Sequence, residues 1–129
     1  MSKQLTKDNY QLAERFIQDE KGIIRDTKTN LEWQVGPDKD TTWAAAKTWV
    51  DSLGEGWRLP TVQELQGLYE EGKGTRNIDP VFGMNGWWVW STSSGSSFAR
   101  TFSFYYGCES SGNRGYSRFS RGFSVRSRR

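Results

Sequence analysis

The chain contains no histidine and a single cysteine, Cys108. Without histidine, the Ser–His and Cys–His pairs that activate a nucleophile cannot be built, and a lone thiol cannot close an internal disulfide. Zinc sites built from nitrogen and sulfur ligands fail for the same want of donors. Cys108 falls in a Ser/Gly-rich stretch and reads as a surface thiol. The carboxylate pairs Asp38/Asp40 and Glu70/Glu71 lie in loop or helix-end sequence and read as facing solvent. No catalytic constellation, metal site or cofactor is therefore expected, and the chain reads as a non-enzyme. Long apolar runs are also missing. The opening MSKQLTKDNY is polar, which argues against a signal peptide or membrane insertion and for synthesis in a cytoplasm. Association with a virion, or display through a partner, would be the routes outward.

At 129 residues the chain is one domain able to bury a single core. Hydrophobic content is only 34%, but seven Trp, five Tyr and seven Phe compensate, since each buries a large area. Charge is unevenly spread. Residues 97–129 hold seven arginines against Glu109 alone, whereas the first 96 residues hold eleven basic and fourteen acidic side chains. A basic end can meet nucleic acid, membrane or a polyanionic glycan. Nucleic acid is disfavoured, because neither a groove-reading helix nor a nucleic-acid signature is present.

Residues 1–14 are polar and read as an arm or short helix ahead of a domain over 15–129. Phe16-Ile17, Gly22–Arg25 and Leu31–Gln34 read as strands, with Asp26–Asn30 as a turn. Thr42 is placed to cap a first helix over 42–53, whose apolar face is Trp43, Ala46, Val50 and Leu53 and which Gly54 stops. Thr61-Val62-Gln63-Glu64 has the capping-box pattern and opens a second helix over 61–71. Both helices are expected on one core. Trp87–Trp90, Ala99–Tyr106 and Phe123–Arg126 read as later strands, the last lying beside the first strand. Alternation along Ala99–Tyr106 predicts that either Tyr105 or Tyr106 is buried. Trp33, Trp43, Trp57, Trp87, Trp88 and Trp90 are expected in the core, with Arg58 pairing near the second helix.

Several stretches together resemble one family. Phe16 with Gly22–Trp33 resembles an opening "R-F…G-T-V-x-D-x-x-T-G-L-x-W". Thr42-Trp43-Ala44-Ala45-Ala46 resembles "T-W-x-x-A", and Trp57-Arg58-Leu59-Pro60-Thr61 with Glu64-Leu65 matches "W-R-L-P-T-x-x-E-L". Trp88–Ser93 and Gly122–Arg126 match "Y-W-S-S-T" and "G-F-x-V-R". The ordered set resembles the Lcl C-terminal-like domain family, whose fold is C-type-lectin-like. Asn30 departs from the pattern's glycine, and the end Ser127-Arg128-Arg129 is unusually basic. The resemblance implies an α+β fold, with two helices packed on a mainly antiparallel twisted sheet. Calcium-dependent sugar binding in C-type lectins uses a Glu-Pro-Asn type loop and a Trp-Asn-Asp triplet. Neither occurs here, and Glu109 and Asn113 alone are too few to cage calcium.

Members of this fold also serve as variable proteins of diversity-generating retroelements, where template adenines are mutated. The resulting NNY codons cannot encode Trp, Gln, Met, Lys or Glu. Between Ser91 and Gly122 only Glu109 belongs to that set, and no Lys follows Lys73. The same stretch holds ten Ser, five Gly, seven Phe or Tyr and four Arg. That alphabet is the one binding loops use: adaptable polar groups, broad aromatic contacts and arginine anchors. Two readings stand. One is a ligand- or receptor-binding protein with a variable surface at 91–122, recognising a protein or glycan on a target surface. The other is a fixed adhesion module that binds acidic glycans through Arg100, Arg114, Arg118 and Arg121. A homo-oligomer or attachment to a larger assembly is compatible with both. The site residues expected on one exposed face are Phe98, Arg100, Tyr105, Tyr106, Asn113, Arg114, Tyr116 and Arg118.

Overall fold

The computed structural model describes residues 14–95 and 97–128, the side chains of Ser93 and Ser94 excepted. The expected N-terminal arm thus lies outside the described residues apart from Glu14, which has no regular structure. In chain order the elements are β1 (Phe16–Gln18), β2 (Ile24–Asp26), β3 (Leu31–Val35), α1 (Trp43–Leu53), α2 (Val62–Gln66), a 3-10 turn at Pro80–Phe82, β4 (Trp88–Ser94), β5 (Phe98–Ser103), β6 (Cys108–Asn113), β7 (Ser120–Arg121) and β8 (Phe123–Ser127).

The strands form two four-stranded sheets, ordered β1-β2-β3-β8 and β6-β5-β4-β7. Every pairing is antiparallel except β4 with β7, which is parallel over two residue pairs. The closing strand β8 pairs with β3, in the register Leu31↔Ser127 to Val35↔Phe123, not with the first strand as expected. The reason is geometric. The β1-β2-β3 meander leaves two free edges, and β8 takes that of β3, where Val125 pairs with buried Trp33 and Phe123 packs against its ring. The β1–β2 turn is held by Asp19, whose carboxylate accepts the N–H groups of Lys21 and Ile23 at 2.8 and 2.9 Å. In the β2–β3 turn Asn30 has φ 64°. Asparagine is one of the few residues besides glycine that enters this left-handed region at modest cost, so the departure from the family's glycine keeps the turn.

Buried Asp26 accepts from the Arg15 guanidinium at 2.7 and 2.8 Å and from the Lys28 N–H at 3.0 Å. Burial pushes its carboxyl up, but the hydrogen bonds outweigh this and leave its pKa below the ordinary value.

Thr42 caps α1 by accepting from the Ala45 N–H at 3.1 Å, and Gly54 at φ 63° ends it. The capping box of α2 is complete: Thr61 Oγ1 accepts from Glu64 N–H at 3.1 Å and Glu64 Oε1 accepts from Thr61 N–H at 2.8 Å. Arg58 adds a two-pronged pair to Glu64 at 2.7 and 2.8 Å. Burial raises the Glu64 pKa, yet the bonds from Arg58 and Thr61 bring it below the ordinary carboxylate value. The helix itself is shorter than the expected 61–71. Gly67 is a weak helix former, and beyond it the chain tightens, with Leu68 and Tyr69 N–H groups donating three residues back. The apolar periodicity survives because Leu68 is still buried and the Tyr69 ring still packs on Phe102 and Phe104.

The second sheet separates two clusters, so the helices do not share one core as expected. Val89 and Phe102 point to one face and pack with Leu65, Leu68, Trp33, Phe82 and Phe123. Trp90 and Ala99 point to the other and pack with Trp43, Ala46, Val50, Trp57 and Leu59. This is the period-two alternation of β4 and β5 carried into tertiary structure. Trp33 and Trp90 are fully buried and Trp43 and Trp57 nearly so, but Trp87 and Trp88, expected in the core, are only half-buried. The Arg126 guanidinium covers the Trp57 ring at 4.3 Å.

Candidate ligand-binding site

The α1-side face of the second sheet carries Trp88 and Trp90 from β4, Thr101 from β5, and Ser110 and Gly112 from β6. Cross-strand register places Trp90 opposite Thr101, Thr101 opposite Ser110 and Ala99 opposite Gly112. At one end Trp90 and Ala99 lie under Trp43 and Ala46 of α1. The rest of the face is a concave pocket of about 300 Å³. It is lined by Trp88, Trp90, Thr101, Ser110, Ser111, Gly112, Asn113, Tyr116 and Ser120, with Gly112 against the Trp90 ring.

Tyr116 lies on a loop, Arg114–Phe119, whose backbone is sewn to neighbouring segments. Arg114 N–H donates to Ser97 O at 2.9 Å, and Arg114 O accepts from Trp43 N–H at 3.2 Å. Phe119 O accepts from the N–H groups of Trp87 and Trp88 at 2.9 and 3.2 Å, and Ser120 O accepts from Thr41 N–H at 3.0 Å. Phe119 N–H donates to the Asp40 carboxylate at 3.0 Å. Arg121, with a side chain only 10% exposed, reaches Asp40 at 3.0 Å and Asp38 at 3.3 Å. The indole N–H of Trp90 donates to Thr41 O at 2.7 Å and that of Trp43 to Ser91 O at 3.0 Å. The framework therefore grips the loop mainly through its main chain. Close approach is built in beneath it: a Cβ on Gly86 would fall 2.6 Å from Phe119 O.

Of the eight residues expected on one exposed face, only Asn113 and Tyr116 line the pocket. Seven are exposed and Arg114 is half-buried. Arg114 lines a neighbouring groove with Asn113, Ser97 and Thr42, its guanidinium 4.3 Å from the Trp43 ring. Phe98 and Arg100 alternate with Ala99 and Thr101 along β5, so they project from the opposite face, where Arg100 pairs with Glu109. Arg118 lies over the Phe119 ring at 5.2 Å. Tyr105 and Tyr106 form an aromatic group with Trp87, in edge contacts at 5.1 and 4.8 Å.

The expected burial of one of these tyrosines is overturned, for they are 57% and 71% exposed. The strand stops at Ser103, and the chain turns through residues 104–107. Alternation lapses there. Gly107 has φ 74°, and a Cβ on it would strike the Tyr69 ring at 2.6 Å, so only glycine closes this turn.

Sequence reasoning missed Trp88, Thr101, Ser110, Ser111, Gly112 and Ser120 as lining residues, and Asp40 as a clamp. The available signal was the shared face of Trp88 and Trp90 and the polar alternation Thr101, Ser103 opposite Phe98, Arg100. No helix among the described residues is long and apolar enough to cross a membrane.

No curated protein and no solved structure matches the chain significantly. The Lcl C-terminal domain family does match, over residues 22–127, a span that includes both sheets from β2 onward, both helices and the pocket. The chain belongs to the Lcl C-terminal domain family.

Proposed function

We propose that this protein is a ligand-binding module, with a C-type-lectin-like scaffold that displays a variable surface between residues 91 and 122 in the manner of retroelement-diversified proteins. It is read as a binder of a protein or glycan on a target surface, and not as an enzyme. One observation carries the reading. The Arg114–Phe119 loop and its neighbours are fixed chiefly by backbone hydrogen bonds, to Ser97, Trp43, Trp87, Trp88 and Thr41. Main-chain bonds persist under any substitution except proline, so a surface held this way can change its chemistry while keeping its shape.

The alternative, a fixed acidic-glycan binder using Arg100, Arg114, Arg118 and Arg121, has less support. Arg121 is nearly buried between Asp38 and Asp40, and Arg100 is paired with Glu109. Their charges are partly met within the protein.

A library randomised at Ser97, Tyr105, Asn113, Tyr116, Ser117 and Arg118 tests the proposal. Most members should fold, and selection against unrelated protein targets should yield binders that differ from one another in target. A library in which most members are unfolded would end the proposal. The encoding DNA gives an independent check on diversification: an adenine-rich near-copy of the 3′ end beside a reverse transcriptase is expected.

A further inference from the structure

We infer that the pocket on the α1-side face of the second sheet accepts one uncharged sugar ring, a neutral pyranose of a glycan. This rests on the binder reading above and names the ligand class for the same surface. The pocket volume of about 300 Å³ is at the small end for ligand sites and suits a single ring. None of its lining residues is charged, although Arg100, Glu109 and Arg118 stand nearby in the chain. An anionic sugar would shed hydration there without meeting a counter-charge.

The lining also joins two chemistries. Half-buried Trp88 offers an electron-rich ring to the C–H groups of a sugar, and fully buried Trp90 lines the same pocket. On the same face stand the hydroxyls of Thr101 and Ser110, which bond to no other described residue. Each can donate once and accept twice. A purely apolar occupant, such as an aromatic side chain of a protein partner, would strip water from these hydroxyls and return nothing. A ring edged with hydroxyls would pair them. Gly112 keeps the space open: a Cβ there would lie 3.7 Å from the Trp90 ring, an ordinary contact, so a larger side chain is tolerated by the backbone but fills the pocket.

The test is a titration of the isotopically labelled full chain followed by NMR. The probes are the methyl glycosides of glucose, galactose, mannose and N-acetylglucosamine, with glucuronic acid and N-acetylphenylalanine amide as contrasts. At least one neutral glycoside should bind saturably at millimolar level, a reasonable strength for one ring, and shift the Trp88 indole and the Thr101, Ser110 and Gly112 amides. Gly112→Val and Trp88→Ala should each weaken that binding by about tenfold or more, while Arg100→Ala, on the opposite face of the sheet, leaves it unchanged. Should Gly112→Val fail to fold, Thr101→Val gives the same reading through loss of one hydroxyl. Shifts caused only by glucuronic acid, only by the phenylalanine amide, or by no probe would overturn the sugar assignment. The binder reading is judged separately, by whether the randomised library folds and yields binders.

Discussion

If the display surface is held by its main chain, stability should rank three variants in a fixed order. Consider first replacing Ser97, Tyr105, Tyr116 and Ser117 together by alanine. Ser97 acts through its carbonyl, which alanine keeps, and Tyr116 and Ser117 make no side-chain bond to a described residue. The change removes the edge packing of Tyr105 on Trp87 and Tyr106, worth about 1 kcal/mol. Adding Asn113→Ala and Arg114→Ala removes a bond from Gly115 N–H to Asn113 Oδ1 at 2.8 Å, about 1 kcal/mol. It also removes the Arg114 guanidinium, which lies over Trp43, about 0.5–1 kcal/mol, and donates to Gly95 O at 3.3 Å, about 0.5–1 kcal/mol more. The six-site variant should therefore lose about 3–4 kcal/mol. Against these stands the single change Trp90→Ala. It empties a fully buried site, about 3–5 kcal/mol, and strands the Thr41 carbonyl, about 1 kcal/mol more. Urea unfolding followed by far-UV circular dichroism measures all three. A four-site variant as unstable as Trp90→Ala would refute the reasoning, since exposed side chains would then be carrying the fold.

Trp57→Ala should cost about 3–5 kcal/mol, because Trp57 is almost fully buried and bears the Arg126 guanidinium on its ring; a melting temperature close to the parent's would contradict this. Asp40→Ala should cost about 1–2 kcal/mol and speed hydrogen exchange at the Phe119 amide, with no change in exchange at β3. Acid should destabilise in a defined window. The Asp26 and Glu64 pKa values are lowered in the folded state, so their contribution is complete at neutral pH and is lost as pH falls below about 4, where the unfolded carboxylates protonate first. In Asp26→Asn the acid-induced loss should be smaller, read from urea midpoints across that range. Asn30→Gly should leave stability within about 1 kcal/mol, whereas Asn30→Val should lose roughly 1–2 kcal/mol or more, because φ 64° is costly for a branched side chain.

Local signals read well where a single residue type decides the geometry. Thr42 and Thr61 capped the helices where hydroxyls at those positions should, and Gly54 ended the first. The second helix ended at Gln66, short of the expected 71, because Gly67 intervened, and a glycine inside an apolar run does not by itself reveal whether the helix stops there. Likewise the alternation along β5 was legible up to Ser103. The turn after it depends on the Tyr69 ring occupying the place where a Gly107 side chain would be, a contact between residues far apart in the chain.

The amino-acid sequence by itself determined the family, both helices, the strands β1 to β5 and β8 but not β6 or β7, and a C-terminal segment with the composition of a binding surface. These follow from short-range pattern: caps, period-two and helical spacing, and the Trp-Arg-Leu-Pro-Thr run. Only the tertiary structure decided that β8 joins β3, that the second sheet divides two clusters, and that the pocket belongs to Trp88, Thr101, Ser110 and Gly112 more than to the exposed arginines and tyrosines. Each of those outcomes depends on which face of a strand another element covers. Composition reports that a residue is aromatic or polar, but a pocket arises where α1 covers one end of a sheet face and leaves the other end open, and that is settled by packing across the whole chain.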